Sequence, residues 1–573
     1  MKRYIFILLG LGFLQVCLTS CEETFLSQQN PNAITTETFW QSEKQFNSGL
    51  TTVYGATQFQ NISGSGLQYE MAMGDIAGTE SWYRPTAFRN LTFNDGTYYV
   101  TDKWNELYIG IFRANQVIQN LQTADASLFN ATTKEVMEAQ ARFLRAFFYF
   151  QVAHTYGGAV MHVEVPEADE DLHKPFSSIE EVTNTVIKPD LEFAKTYLPD
   201  AWEGENLGRV TWGAATSMLG KVYLYEEKWT EAAAEFKEVI ESGNYRLTPD
   251  ILDNFTDLNE FNEESIFEVA YSDVLNPGAS GDAVDDNPWE TGAEASSMAR
   301  ALGQLNFGAF NTLLPTYYLH ELYVNDEVDV ENPINDGNLH SKRMTASIIP
   351  TNGEGLYYNL PVGDRPGWGF GQSAYIKKHT NWFDMDSEDV NSRSGINFRH
   401  IRLADVYLMY AEAVLKASGD AQTALTYIDM VRARAGVRTL QSYLDNNGGL
   451  FPQLHVSIQV NGEQPFVSLT AENLLTHIMR VERPLELAYE GHRWKDLVRW
   501  GIVQEVFDEL YVDEQWRNAN ENFLDIQSLG ISPLFIRERI RPDFLLAVQN
   551  YTAERHNYLP IPTQEVQTNA LID

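Results

Sequence analysis

The sequence predicts a mainly α-helical protein: about four tetratricopeptide-like helical hairpins, plus a loop-rich, irregular ligand-binding region with short strands. Three observations predict it. The segment VTWGAATSMLGKVYLYEEKWTEAAAEFKEVIESGNY places Leu219, Gly220, Tyr223, Ala232, Phe236 and Val239 at the offsets of a helical-hairpin repeat of about 34 residues. The segment LADVYLMYAEAVLKASGDAQTALTYIDMVRARAG sets Leu408, Ala411, Leu415, Ala424, Ile428 and Val431 on the same offsets. Between them, residues 245–397 are dense in Gly, Asn, Pro and aromatics and poor in helical periodicity, so the repeats are split by a long insert.

The elements follow in order. Residues 1–20 read as a lipoprotein signal peptide: a basic start at Lys2 and Arg3, then an apolar run from Tyr4 to Val16, too short to span a bilayer. The run ends in Leu18-Thr19-Ser20-Cys21, the pattern of a bacterial lipobox, so Cys21 is the expected lipidation site. Two acyl chains on that cysteine, at ~0.8 kcal/mol per buried methylene, give stable anchoring. Cys17 leaves with the signal, so the mature chain is expected to have no disulfide and to rely on a large core. Residues 21–38 read as a polar tether.

Residues 39–57 with 103–121, and 139–156 with 179–198, show three-to-four apolar spacing and supply two further hairpins beside 212–242 and 402–435. Gly157-Gly158 stops the third helix, and Asp420 caps the second helix of the last hairpin. Residues 61–101 and 245–397 are the candidate ligand-binding inserts, because loops this long in a compact protein usually carry function.

Composition excludes some partners. The chain carries 41 basic and 79 acidic side chains, a net charge of −38, which repels phosphate backbones and rules against nucleic acid. Such a surface favours neutral or cationic ligands. The segment LELAYEGHRWKDLVRWG, from Leu485 to Gly501, looks catalytic, but Glu490 and His492 at i, i+2 point apart on a helix and no third metal ligand is near. Ile478, Val481, Leu485, Ala488 and His492 recur at helical spacing, so the segment reads as one packed helix with a half-buried ion-pair network. The run Asp384-Met-Asp386-Ser-Glu388-Asp389 lacks the turn glycine and the final glutamate of a calcium loop and reads as a solvated acidic loop. No G-x-S-x-G elbow, Walker loop or dinucleotide fingerprint is present, so no enzyme, cofactor or metal site is expected.

Aromatic platforms are the better candidates. Pyranose rings have apolar C–H faces that stack on exposed aromatics, with hydrogen bonds from neighbouring polar groups. Trp82 in TESWYRP has Tyr83 and Arg84 beside it, and Trp289, Trp368 and Trp382 sit in Gly/Pro/Asn-rich stretches. These six are the candidate ligand-binding residues.

The ordered motifs ARFLRAFFYFQVAHTYGG, NLGRVTWGAATSMLGKVYLY, LLPTYYLHELY, IRLADVYLMYAEAVL, ERPLELAYEGHRWKDLVRWG and NYLPIPTQEVQTN, after the lipobox at Cys21, resemble the SusD-like (RagB-like) outer-membrane lipoproteins. The resemblance covers nearly the whole chain and implies one domain over 39–573. It implies a non-catalytic cell-surface lipoprotein that binds oligosaccharides and delivers them to a SusC-like TonB-dependent outer-membrane transporter. The hairpin side would face that transporter, with the lipoprotein acting as a hinged lid. Glu22-Glu23 after Cys21 looks like the family's surface-export signal, and a recurrent aromatic site of the family falls near Trp82. A peptide-binding lid of the same architecture is the alternative, and a lipoprotein hydrolase is the reading from a third class.

Overall fold

The computed structural model describes residues 39–80, 82–83, 85–275, 294–350, 353–362, 372–389, 393–520 and 539–572. Cys21, the signal segment and the tether lie outside them. Eight helices pair in chain order: α1 (Glu43–Thr57), α2 (Tyr98–Thr123), α3 (Thr133–Tyr156), α4 (Lys188–Tyr197), α5 (Trp212–Tyr225), α6 (Trp229–Glu241), α7 (Leu403–Ser418) and α8 (Ala421–Arg434). Each packs against the next, α6 against α7 included. Four hairpins therefore form one continuous stack, although residues 242–402 intervene between α6 and α7.

Local sequence explains the pairing. In α1, Phe46, Gly49, Leu50, Val53 and Ala56 make one buried stripe at three-to-four spacing. Thr211 opens α5 by accepting a hydrogen bond from the Ala214 N–H at 3.3 Å, and Asp420 opens α8 by accepting from the Thr423 N–H at 3.0 Å. Gly157 closes α3 and Gly419 closes α7 in the left-handed conformation, with φ of 81° and 70°. Gly220 of α5 lies so close to Phe236 of α6 that an added Cβ would stand 2.7 Å from the ring. The segment before α4 is a turn of α-helix, Ile179–Val182, followed by a π-turn, Thr183–Ile187.

The long insert returns to its own base. Strand Ser265–Val269 pairs antiparallel with Phe398–Arg402, which runs directly into α7, and the Leu403 N–H donates to the Glu264 carbonyl at 2.9 Å. This ladder lets the insert leave and re-enter without parting α6 from α7. The remaining strands are short two-stranded ladders. The insert also holds helices that periodicity did not mark, among them Tyr317–Asn325, whose Thr316 cap accepts from the Leu319 N–H. Among the described residues, no helix is long and apolar enough to cross a membrane.

The α5–α6 contact generates a prediction. Gly220→Val should lower stability by about 1–3 kcal/mol, the usual cost of overpacking, read as a lower urea midpoint. An unchanged midpoint would mean that α5 and α6 separate freely.

Candidate functional site

The charged segment Leu485–Gly501 is structural. Its helix does not run through: π-turn Ile478–Glu482 and helix Arg483–Glu486 end before Tyr489, whose φ is +62°, and a new helix, Arg493–Trp500, begins after Gly491 at φ +80°. The expected single helix is thus corrected to two, and a buried cation explains the break. Arg402 Nη2 donates to the Glu486 carbonyl at 2.9 Å, satisfying a helix-end acceptor that continued helix would otherwise occupy.

The ion-pair network is fully buried around Arg402 and half-buried, as expected, only at its Arg499–Trp500 end. Arg402 meets Glu264 at 2.8 Å, Glu486 at 2.7 Å and Glu490 at 2.8 Å. Arg434 of α8 reaches Glu264 and Glu486, both at 2.5 Å, and Lys378 reaches Glu490 at 2.8 Å. Arg483 joins Asp405 of α7 to Asp496, and Arg499 joins Asp496 to Glu412 of α7, which also accepts from the Trp500 indole at 2.8 Å. Arg493 grips Asp75 through two 2.6 Å contacts. Burial opposes charge on Glu490, yet Arg402 and Lys378 outweigh it and hold the carboxyl well below the usual range. A group this well paired has no free face for chemistry.

The acidic run near Asp384 is solvated at Asp384 and Asp386, as expected, and departs from that reading at Glu388. Glu388 is buried rather than solvated, accepting from the Tyr358 hydroxyl at 2.8 Å and the Asn381 amide at 2.7 Å. Among the described residues no group of three or more His, Cys, Asp or Glu is placed to hold a metal ion.

An exposed aromatic group stands apart from this interior. Ala77–Gly78 pairs antiparallel with Leu314–Pro315, and Thr79 Oγ1 donates to the Thr312 carbonyl at 2.8 Å. Beyond this ladder a turn closes as the Tyr83 N–H donates to the Glu80 carbonyl, which also accepts from Thr86 Oγ1 at 2.6 Å. Glu80 is buried and pairs with Arg539 at 2.5 Å. The turn lifts Trp82 into solvent, 62% exposed, with its ring 5.8 Å from that of half-buried Tyr83. Burial raises the Tyr83 phenol pKa, while hydrogen bonds from Trp82 and Asn311 pull it down.

The facing loop adds residues that sequence reasoning missed. Phe310, 47% exposed, stands beside Asn311, and the Arg300 guanidinium lies 4.5 Å from its ring centre. Hydrogen bonds from the N–H groups of Phe310, Asn311 and Thr312 to the carbonyls of Arg300, Gly303 and Ala301 fix this loop. The signal in the sequence is GQLNFGAFN, an aromatic next to Asn in a Gly-bounded stretch that lacks a tryptophan. Of the six candidates, Trp82 and Tyr83 share this surface. Trp382 is half-buried against Phe307, Tyr357 and Tyr358, with Lys377 Nζ 3.7 Å over its ring. Arg84, Trp289 and Trp368 lie outside the described residues.

Comparison with known proteins places the chain. Residues 263–573 match the SusD family, and residues 24–224 match the family described as starch-binding associating with outer membrane. SusD-like protein P25 of Formosa agariphila is 26% identical, over 98% of this chain and 96% of that one. The crystal structure of a SusD superfamily protein from Bacteroides vulgatus superposes with a TM-score of 0.71 at 23% identity, covering 93% of this chain and 99% of that one. A laminarin-binding SusD-like protein superposes with a TM-score of 0.64 at 24% identity, with the same coverage. The chain belongs to the SusD family.

Buried ionisable groups, in the network and outside it, have measurable consequences. Glu490→Gln leaves Arg402 and Lys378 short of a counter-charge and should cost about 3–5 kcal/mol, read as a lower denaturant midpoint. A variant that folds with full stability and loses ligand would instead make Glu490 a binding residue. The second concerns acid. Burial pushes His154, His320, His379 and His455 down to about 3. Each takes up a proton near pH 6.5 once unfolded but not while folded, so the unfolded state binds more protons below that pH. The contribution of these four histidines to stability should be flat above about pH 7, fall from about pH 6.5, and keep falling to about pH 3. Denaturant titrations across this range check it; a flat profile from pH 7 to pH 4 contradicts it.

Proposed function

We propose that this SusD-family protein binds oligosaccharides at the cell surface, without catalysis, and hands them to a SusC-like TonB-dependent outer-membrane transporter. The observation that carries the binding reading is Trp82, 62% exposed on a turn whose base is fixed by a strand pair and a buried carboxylate. An aromatic of that size is left in water at a cost unless its face is used. Trp82, Tyr83 and Phe310 offer stacking faces for pyranose rings, with Asn311 and Arg300 as neighbouring polar groups. The laminarin-binding relative and the starch-binding family description support a glycan over a peptide. Arg84, Trp289, Trp368 and Trp382 are proposed as further contacts. Cys21 carries the lipid that holds the protein on the outer membrane, and the hairpin stack faces the transporter.

Isothermal titration against a panel of neutral and charged oligosaccharides, with cationic peptides alongside, tests the binding. At least one glycan should bind, and Trp82→Ala should weaken it about tenfold, since a stacked ring contributes about 1 kcal/mol or somewhat more. Peptide binding alone, or an unchanged affinity in the variant, overturns the reading.

A further inference from the structure

A cavity of about 520 Å³ opens on the hairpin stack, and its lining shares no residue with the turn that carries Trp82. Helix α2 forms one wall, residues 162–173 another, and helix Thr563–Thr568 with Asn569 a third. Its size lies within the roughly 300–1,000 Å³ of small-molecule sites. The walls are tied to one another. Asn115 Nδ2 of α2 donates to the His162 carbonyl at 2.7 Å, Asn569 Nδ2 donates to the Lys174 carbonyl at 2.9 Å, and the Ala570 N–H donates to His173 Nδ1 at 3.3 Å. The cavity is thus built without a ligand, which lowers the ordering cost of filling it.

Its surface is of two kinds. Phe112 of α2 and Leu172 of the second wall leave apolar area in water, 41% and 49% exposed. Tyr108, one turn before Phe112, adds its ring alone. Its hydroxyl is committed, donating to the Val160 carbonyl at 2.9 Å and accepting from the Val160 N–H at 2.7 Å. Asn105 shares this face of α2, three residues before Tyr108. The Asn105 carboxamide and the His162 ring nitrogens make no hydrogen bond to the described residues. Burial pushes the His162 imidazole down, so at neutral pH it is uncharged and offers one donor and one acceptor. Glu565 uses one carboxylate oxygen on Asn569 Nδ2 at 2.9 Å.

Charge narrows the ligand. The described lining holds the carboxylates of Glu164 and Glu565 and no lysine or arginine, which disfavours anions. A simple cation would use acceptors only, whereas Asn105 and His162 present donors as well. Apolar rings beside mixed donors and acceptors match a molecule with C–H faces and a rim of hydroxyls. We propose that this cavity is a second saccharide site, taking neutral pyranose units with Phe112 and Tyr108 against the ring faces and Asn105, His162 and Glu565 on the hydroxyls. The choice of a saccharide rests on the function proposed above, but the site is separate from Trp82. Because it lies on the hairpin stack, it receives the glycan on the side that the proposed function turns towards the transporter.

Isothermal titration and saturation-transfer NMR with a panel of neutral gluco-, galacto-, manno- and xylo-oligosaccharides separate the two sites. Trp82→Ala should retain binding at the second site. Adding Phe112→Ala should weaken that residual binding about tenfold, and adding Asn105→Ala about fivefold. Asn105→Ala breaks no hydrogen bond of the described fold and suits a helix, so it serves where Phe112→Ala does not fold. Residual binding that both substitutions leave unchanged overturns the proposal. Complete loss in Trp82→Ala alone also overturns it and leaves the Trp82 reading standing. Binding that ignores Trp82→Ala but falls in Phe112→Ala and Asn105→Ala supports this site and overturns the other. A panel in which nothing binds overturns both.

Discussion

Arg402 is the group on which the rest of the fold depends. It sits at the last position of the insert ladder, one residue before α7, and its side chain is 1% exposed. Its guanidinium gathers Glu264 from the far side of that ladder and Glu486 and Glu490 from the C-terminal segment. Arg434 and Lys378 complete a set of three cations and three carboxylates. Removing six charges from water is costly, and an apolar cluster of the same volume can be as stable. What the charges add is registry. A one-residue slip of the ladder would turn Arg402 to the other face and leave the set unpaired. The hairpin stack can therefore tolerate a long insertion between α6 and α7, because only one re-entry satisfies every charge.

The aromatic surface rides on the same segment. Asp75, two residues before the strand Ala77–Gly78, is gripped by Arg493. On the partner side, Leu314–Pro315 leads into helix Tyr317–Asn325, whose Tyr318 and Tyr323 hydroxyls donate to the carbonyls of Arg480 and Leu485 at 2.6 and 2.7 Å. Both strands beneath Trp82 are thus tied to residues 480–493. For the proposed binding the catalytic-looking cluster would matter only indirectly, by holding the base of the turn still. A platform fixed in this way loses little freedom when a ligand stacks on it, and that saving counts in affinity.

How much of this was legible in the sequence differs by element. The four hairpins were legible, because Leu219, Gly220, Ala232 and Phe236 meet at fixed helical offsets and the contact they make is local. The break at Leu487–His492 was not. Its apolar stripe continues at helical spacing, and the cation that breaks it, Arg402, lies far away in sequence. Membership of a buried network was partly legible, as crowded opposite charges beside tryptophans, but its depth was not, since the partners Glu264, Asp405, Glu412 and Arg434 come from other elements. Trp82 and Tyr83 could be picked out from local composition. Phe310 and Arg300 could not be joined to them, because that proximity depends on the pairing of Ala77–Gly78 with Leu314–Pro315 across helices α2 to α6.

The charge distribution bears on why the proposed ligand would be read by rings. The central network is neutral as a set, with Glu264, Glu486 and Glu490 set against Arg402, Arg434 and Lys378. It removes cations from the surface in equal number with anions, so the net −38 remains on a surface that has fewer cations to offset it. An anionic ligand is then repelled at long range, although salt screens that repulsion beyond about 8–10 Å. Stacking works without net charge: in the proposed reading the ring faces of Trp82 and Phe310 would meet C–H groups at short range, at a strength that salt hardly changes. Arg300 over Phe310 and Arg539 on Glu80 blunt the negative field where the rings stand. A neutral sugar would thus meet no electrostatic barrier at this surface, and under the proposed reading its affinity would depend on how much aromatic face it covers.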